Sequence, residues 1–347
     1  MSLTPAVPLS VLDLAPVPMG SSPGDALRNS VDLARTAERL GYRRHWVAEH
    51  HNMRGIAASA PAVLIGHLAQ VTTTLRVGSG GVMLPNHPPL VVAEQFGMLE
   101  ALHPGRIDLG IGRAPGTDPA TAAALRRSPA ALGADDFPEQ LGQLVAFFQG
   151  TFPDDHPYRH IHAVPGEGNM PALWLLGSSG YSAQVAGLLG LPFAFAHHFS
   201  PENTEPAVAL YRTSFRPSVV LEEPYVMLGV NVVCSENDER ARWLHGPGKL
   251  QMLRRRTGRP GRMSSPAEAA AHDWAPGEQR LADSLVAHHV VGGTDTVRAG
   301  LDGLLDRTGA DELMVTTNLF DNPDRVRSYE LLAEVAGLRS GPVAVTS

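Results

Sequence analysis

Residues 75–114 read LRVGSGGVMLPNHPPLVVAEQFGMLEALHPGRIDLGIGRA. An apolar run interrupted by glycines (75–84) gives way to a segment with helical spacing (87–105) that Pro104-Gly105 closes. A second apolar run (106–114) follows. Strand, helix and strand in such close succession predict two parallel strands joined by a crossover helix.

The same rhythm extends in both directions. Upstream, 7–15 reads as a strand and Asp25 to Leu40 as a helix, with Leu27, Val31, Leu33, Ala34, Ala37 and Leu40 on its apolar face and Gly41 as its cap. Residues 45–51 form the next strand, and 59–72 a helix with Ser59 as N-cap and Pro61 in its first turn. Downstream, a Pro-, Asp- and His-rich excursion from 115 to 170 holds one helix, Phe137 to Gln149. Strands at 171–179, 192–199 and 224–235 alternate with helices Tyr181 to Leu189 and Glu202 to Phe215. A second, mostly helical excursion covers about 236–285. A turn and helix (290–309), a strand (312–320) and a last helix (Asp324 to Val335) complete the chain. Eight strands, each followed by helix, predict an α/β fold: one (β/α)8 TIM barrel over 1–347, with insertions after strands 4 and 7. A doubly wound sheet fits less well, because no dinucleotide fingerprint follows the first strand.

Composition narrows the function. Of 347 residues, 43% are hydrophobic and 18% charged, and the net charge is -7, so a nucleic-acid partner is not expected. The single cysteine, Cys234, rules out disulfides within the chain and Cys-based metal sites. Lys249, the only lysine, lies outside any phosphate-loop motif. No run approaches the roughly 18 apolar residues of a membrane span, and the start lacks a basic, apolar leader. A cytoplasmic protein is expected.

In a barrel of this kind chemistry sits at the C-terminal ends of the strands. That rim collects Ala15, Glu49 to His51, Gly80 to Met83, Arg113, Ser178, Ser179, His197 and His198. His50 and His51 offer proton transfer near neutral pH, although alternation along a strand would turn only one of them into the mouth. Gly78, Gly80 and Gly81 would either bare the main chain to a flat ring or serve barrel curvature. Arg113 fits a bidentate phosphate contact or a surface ion pair. Gly177-Ser178-Ser179 leads into a helix whose free N–H groups could hold an anion, or whose serines simply cap it. The His-rich DDHPYRHIH (154–162) shows no tight ligand spacing, and no metal is expected.

With those residues in place, the chain resembles the bacterial luciferase-like flavin-dependent monooxygenases along nearly its whole length. The likeness is densest in WVAEHH, in the 75–116 stretch, in LLGSSGYSAQVAGLLGLP and in GADELMV, and extends to single-chain members that include antibiotic-tailoring enzymes. The resemblance implies reduced FMN reacting with O2 to give a C4a-hydroperoxide that oxidises a small organic substrate such as an aldehyde, ketone or polyketide. It gives His50 the family's catalytic place and Gly80-Gly81 an unusual cis peptide beneath the flavin. Arg113, Ser178, Ser179 and Ser182 take the phosphate site, with Ala15 and Gly177 also lining the cofactor. Gly112 stands where luciferase has a reactive cysteine, and Ser178 where it has a glutamate, which puts light emission in doubt. FMNH2 would come from a separate NAD(P)H:flavin reductase, and a homodimer is implied. An F420-dependent dehydrogenase and a non-catalytic flavin-binding protein are the alternatives on the same fold.

Overall fold

A computed structural model describes residues 3, 4, 6–114, 118–126 and 136–339. The first half carries β1 (Leu9–Asp13), α1 (Pro23–Leu40), β2 (Arg44–Val47), α2 (Pro61–Gln70), β3 (Arg76–Met83), α3 (Pro89–Leu102) and β4 (Ile107–Gly112). The first insertion supplies α4 (Pro119–Arg126) and α5 (Phe137–Gln149); its residues 115–117 and 127–135 lie outside the described residues. Then come β5 (Ala172–Gly177), α6 (Gly180–Leu189), β6 (Phe193–Phe195), α7 (Thr204–Ser214) and β7 (Val226–Cys234). The second insertion folds as α8 (Asp238–Arg256), α9 (Pro266–Ala270) and α10 (Pro276–Val286). The chain closes with β8 (Val290–Gly292), α11 (Thr294–Thr308), β9 (Glu312–Thr316) and α12 (Asn322–Ala336).

Eight strands pair in parallel in the order β1-β2-β3-β4-β5-β6-β7-β9, and β9 returns to β1. The ring is therefore closed, a TIM barrel, as the strand count predicted. β8 stands outside it and pairs with β7. The sequence reading took 290–309 as a turn and helix; a three-residue strand is too short to leave a periodic signal.

Local chemistry explains the boundaries. Ser22 and Asp25 form a reciprocal capping box at the start of α1. Gly41 ends that helix at φ 85, and a Cβ there would lie 2.2 Å from the Arg339 carbonyl oxygen. Ser59 does not cap α2: Ala60 holds the N-cap position with no side-chain bond, and Pro61 starts the helix. β2 ends at Val47 and β6 at Phe195, earlier than their apolar runs suggest, so Glu49 to His51 and His197-His198 belong to the rim loops.

Alternation along the strands sends one set of side chains into the lumen and the other against the helices. The outer set builds the large core under the helices, including Val11, Val47, Val77, Leu109 and Val315. The inner set is layered. Midway up the lumen lies an apolar layer of Leu12, Trp46, Trp174, Ala194, Met227 and Met314. Below it the floor is ionic. Arg44 bonds Glu312 Oε1 and Asp108 Oδ2, both at 2.8 Å, with all three residues buried. Asp108 also accepts from Trp46 Nε1 at 2.9 Å, and Glu312 from Tyr225 OH at 2.9 Å and Ser10 Oγ at 2.5 Å. The cluster spans β1, β2, β4 and β9, with Tyr225 joining from the residue just before β7.

Removing the cation would leave buried Glu312 without its close cationic partner, while Asp108 would keep Arg76 at 2.6 Å. Arg44→Met should therefore lower the unfolding free energy by about 3–5 kcal/mol, read by urea denaturation followed by circular dichroism. A loss of under about 1 kcal/mol would show that the floor is not held by charge pairing.

Candidate active site

Beyond β2 the chain turns sharply. The His50 N–H donates to the Ala58 carbonyl at 2.9 Å, and Asn52 adopts the left-handed region at φ 55. Because the strand has ended, alternation does not separate the two histidines; their partners do. His51 Nε2 lies 2.8 Å from Glu49 Oε1. His50 Nδ1 is buried with no hydrogen-bond partner. Burial pushes the His50 ring down to about 4, the Arg255 cation acts the same way, and Glu49 opposes both. At neutral pH the ring is uncharged, with one nitrogen to donate and one to accept.

Glu49 is the hub of this corner. It is fully buried, and its carboxylate meets His87 Nε2 at 2.9 Å and the Met83 N–H at 3.1 Å as well as His51. Burial alone would raise its pKa, but the bonds from His87, His51 and Met83 outweigh burial and hold it below the usual carboxylate range. The carboxylate is then an acceptor only, so both histidines carry hydrogen on Nε2. Glu49, His51 and His87 are the one group of converging metal-type ligands among the described residues, all within 4.8 Å of one another. Their contacts are at direct hydrogen-bond distance, which satisfies the donors and the acceptor without an ion. Sequence reasoning missed His87, because nothing in LPNHPP distinguishes it from a turn residue.

On the neighbouring strand the Gly80-Gly81 peptide is cis, and the register with β4 shifts between Gly80 and Val82. What the structure shows at these glycines is close packing within the ring. A Cβ on Gly80 would come within 2.7 Å of Leu12 Cδ1, and one on Gly81 within 2.7 Å of the Gly110 oxygen. Close packing inside the ring demands glycine at both positions, and the bare main chain that results lies at the mouth.

Arg113 follows β4, and its guanidinium carbon sits 4.4 Å from the ring centroid of Tyr181, in the first turn of α6. Ser179 is the N-cap of α6 but makes no side-chain capping bond, and Ser182 is buried in the same turn. A Cβ on Gly177 would strike Ser182 Cβ at 2.7 Å, so that glycine lets the helix start close against β5. The Ser178 carbonyl accepts from Ser200 Oγ at 3.0 Å. Arg113 thus reaches the start of α6 through Tyr181, where the helix begins without a side-chain cap.

Ala15 is buried at φ 48, and its N–H donates to Asp13 Oδ1 at 2.7 Å. Its carbonyl accepts from Ala57 N–H at 2.9 Å, so its main chain is committed within the protein. Asp13 in turn is pinned by Arg325 at 2.6 Å. The rim thus gathers Ala15, His50, Gly80, Gly81, Arg113, Gly177, Ser178 and Ser179 on five consecutive strand ends. The 154–162 histidines lie apart from it; His162 pairs with Glu167 at 2.8 Å on the surface.

The chain belongs to the luciferase-like monooxygenase family, which it matches over residues 7–312. It is a flavin-dependent monooxygenase by that membership. A luciferase-like monooxygenase of Escherichia coli is 48% identical over 329 residues, covering 95% of this chain and 97% of that one. An N-acetyl-S-alkylcysteine monooxygenase of Bacillus subtilis is 44% identical over 197 residues, 56% of this chain and 58% of that one. The solved structure of apo-MsnO8 has TM-score 0.86 at 40% identity and covers 96% of this chain and 100% of its own. More distant structures share the fold alone. One is a Pseudomonas putida 3,6-diketocamphane monooxygenase in complex with FMN, at TM-score 0.72 and 19% identity, covering 97% of this chain and 100% of its own. Another is an F420-dependent secondary alcohol dehydrogenase, at TM-score 0.62 and 12% identity, covering 97% and 99%.

Glu49→Gln tests the hub. An amide cannot accept at both ends, so either Met83 N–H or the imidazoles lose a partner. The expected cost is about 1–3 kcal/mol of stability, measured by denaturant titration; a change within about 0.5 kcal/mol would show that the carboxylate is not needed there.

Proposed function

We propose that this chain is the cytoplasmic oxygenase half of a two-component system: it takes FMNH2 from a separate NAD(P)H:flavin reductase and uses O2 to oxidise a small organic substrate. The observation that supports a phosphate-bearing flavin is the Arg113, Tyr181 and Ser178-Ser179 corner, which would hold a phosphate-type anion on the same rim as His50 and the Gly80-Gly81 main chain; the choice of FMN over F420 follows from membership of the monooxygenase family. The residues fit a flavin. His50 Nδ1 is buried and unpartnered, the glycine peptide offers bare backbone, and the lumen below is apolar.

When bound, reduced flavin supplies the oxygen-activating chemistry. The residues do the rest. Arg113 and the α6 start hold the phosphate, and Gly80-Gly81 support the ring. His50, uncharged at neutral pH, would steer a proton to or from the reacting group through its ring. The helices of the two insertions, α4, α5 and α8 to α10, serve as substrate walls and lid. A homodimer is part of this reading. The adjacent helices α2 and α3 leave Val63 (76%), Met98 (51%) and Leu102 (67%) exposed, apolar surface that a second copy would cover.

Two measurements test it. Arg113→Ala should weaken FMN binding about tenfold or more while leaving riboflavin affinity unchanged, because only the phosphate contact is lost. Equal loss for both ligands, or for neither, would remove the phosphate role. In stopped flow, protein with reduced FMN mixed into oxygenated buffer should show a transient distinct from both reduced and oxidised flavin. His50→Ala should shorten that transient about tenfold or more. Immediate return of oxidised FMN, with no dependence on His50, would overturn the monooxygenase chemistry, and F420 reduction without O2 uptake would replace it.

A further inference from the structure

Across the barrel mouth from His50 stands a second imidazole in the same condition. In a ring of eight strands, β2 and β6 are four places apart and so face each other. His198 follows β6. Its N–H donates to the Gly229 carbonyl at 2.8 Å, and its own carbonyl accepts from His288 Nε2 at 2.8 Å. His288 lies edge-on to His289, 4.8 Å between centroids, and His289 Nδ1 bonds His245 Nε2 at 2.9 Å. The main chain of His198 is thus fixed from two sides.

The ring is placed just as firmly. Gly229 alternates with Met227 on β7, and Met227 belongs to the lumen layer, so a side chain at Gly229 would point into the lumen. The His198 ring fills that place: a Cβ on Gly229 would lie 2.7 Å from Nδ1 and 2.9 Å from Cε1. Its Nδ1 is buried and makes no hydrogen bond, as with His50 Nδ1. The His198 ring therefore stands in the lumen above the apolar layer, on the wall opposite His50, with its Nδ1–Cε1 edge seated against Gly229.

We propose that His198 is a second ligand-contacting imidazole of the active site, hydrogen-bonding an uncharged polar group of the molecule held in the barrel mouth. This rests on the flavin-monooxygenase reading above. Burial holds both His50 and His198 down at about 4, so both are neutral at pH 7 and suit a neutral carbonyl or ring edge rather than a carboxylate. That chemistry has two sources, the edge of the flavin ring or the carbonyl of the organic substrate.

The test is NMR of protein selectively 13C-labelled at histidine Cε1. The His50 and His198 resonances are assigned by their loss in His50→Asn and His198→Asn, and the surface rings of His156 and His160 serve as controls. Oxidised FMN is titrated first, then cyclohexanone as a neutral carbonyl probe. A His198 shift with FMN assigns the flavin edge. A shift only on adding the ketone assigns the substrate. Gly229→Ala should abolish either shift, since its methyl displaces the ring without removing it, and His198→Asn should weaken binding of the responsible ligand about fivefold. A His198 resonance that stays still under both ligands while His50 moves would overturn the proposal. If FMN does not bind at all, the monooxygenase reading fails and this one falls with it.

Discussion

The barrel depends on an ionic cluster at its floor, with Arg44 at the centre and Arg76 also on Asp108. Arg44 lies at the lumen floor between Glu312 and Asp108, and those three residues sit on β2, β9 and β4. Burying a guanidinium is costly unless its partners are close and correctly oriented, and both contacts here are 2.8 Å. Once Arg44 is in place, Trp46 two residues on must also point inward, and its indole N–H reaches Asp108. Trp46 packs edge-on to Trp174, 5.3 Å between centroids, which sets the apolar layer above the floor. Register at the bottom therefore fixes which residues emerge at the top.

That coupling explains what the sequence could and could not convey. The barrel was legible because each strand announces itself as a short apolar run and each helix by its spacing. Gly41 and the Phe137–Gln149 helix fell where the pattern placed them. The ionic floor was not legible. Arg44, Asp108 and Glu312 sit at strand starts, where a charged residue reads equally well as a solvated edge, and only ring closure brings them together. For the same reason Ser59 read as a cap: its hydroxyl is the right chemistry, one residue too early. β8 escaped because three residues carry no period.

The rim divides along the same line. His50, Gly80-Gly81, Arg113 and the Ser178-Ser179 turn could be singled out because each is a residue type that a strand end does not need. Their partners could not. His87 acts only through Glu49, and His198 only through the space that Gly229 leaves. Both relations cross between strands, and neither has a signature within one segment. Glu49 shows the difference well. Its place in the sequence leaves open whether it serves packing or a neighbour, and the structure shows that it serves four neighbours at once, Asn86 being the longest contact at 3.5 Å.

Function at such a site follows from which polar atoms the fold satisfies and which it leaves open. Asp13, Glu49, Asp108 and Glu312 are all buried, and each is paired by cations, by imidazoles or by backbone N–H groups. What sets His50 and His198 apart from that background is their place, on facing walls of one barrel mouth, where a single ligand can meet both rings. Their neutrality at physiological pH follows from burial, which disfavours their charge. Arg113 lies two strands round from His50 and the Ser178-Ser179 turn three, so a molecule held there by a phosphate, as proposed, would have to extend across the mouth to meet the histidines. A long cofactor with an anionic tail and a flat, uncharged head satisfies both ends of that geometry at once.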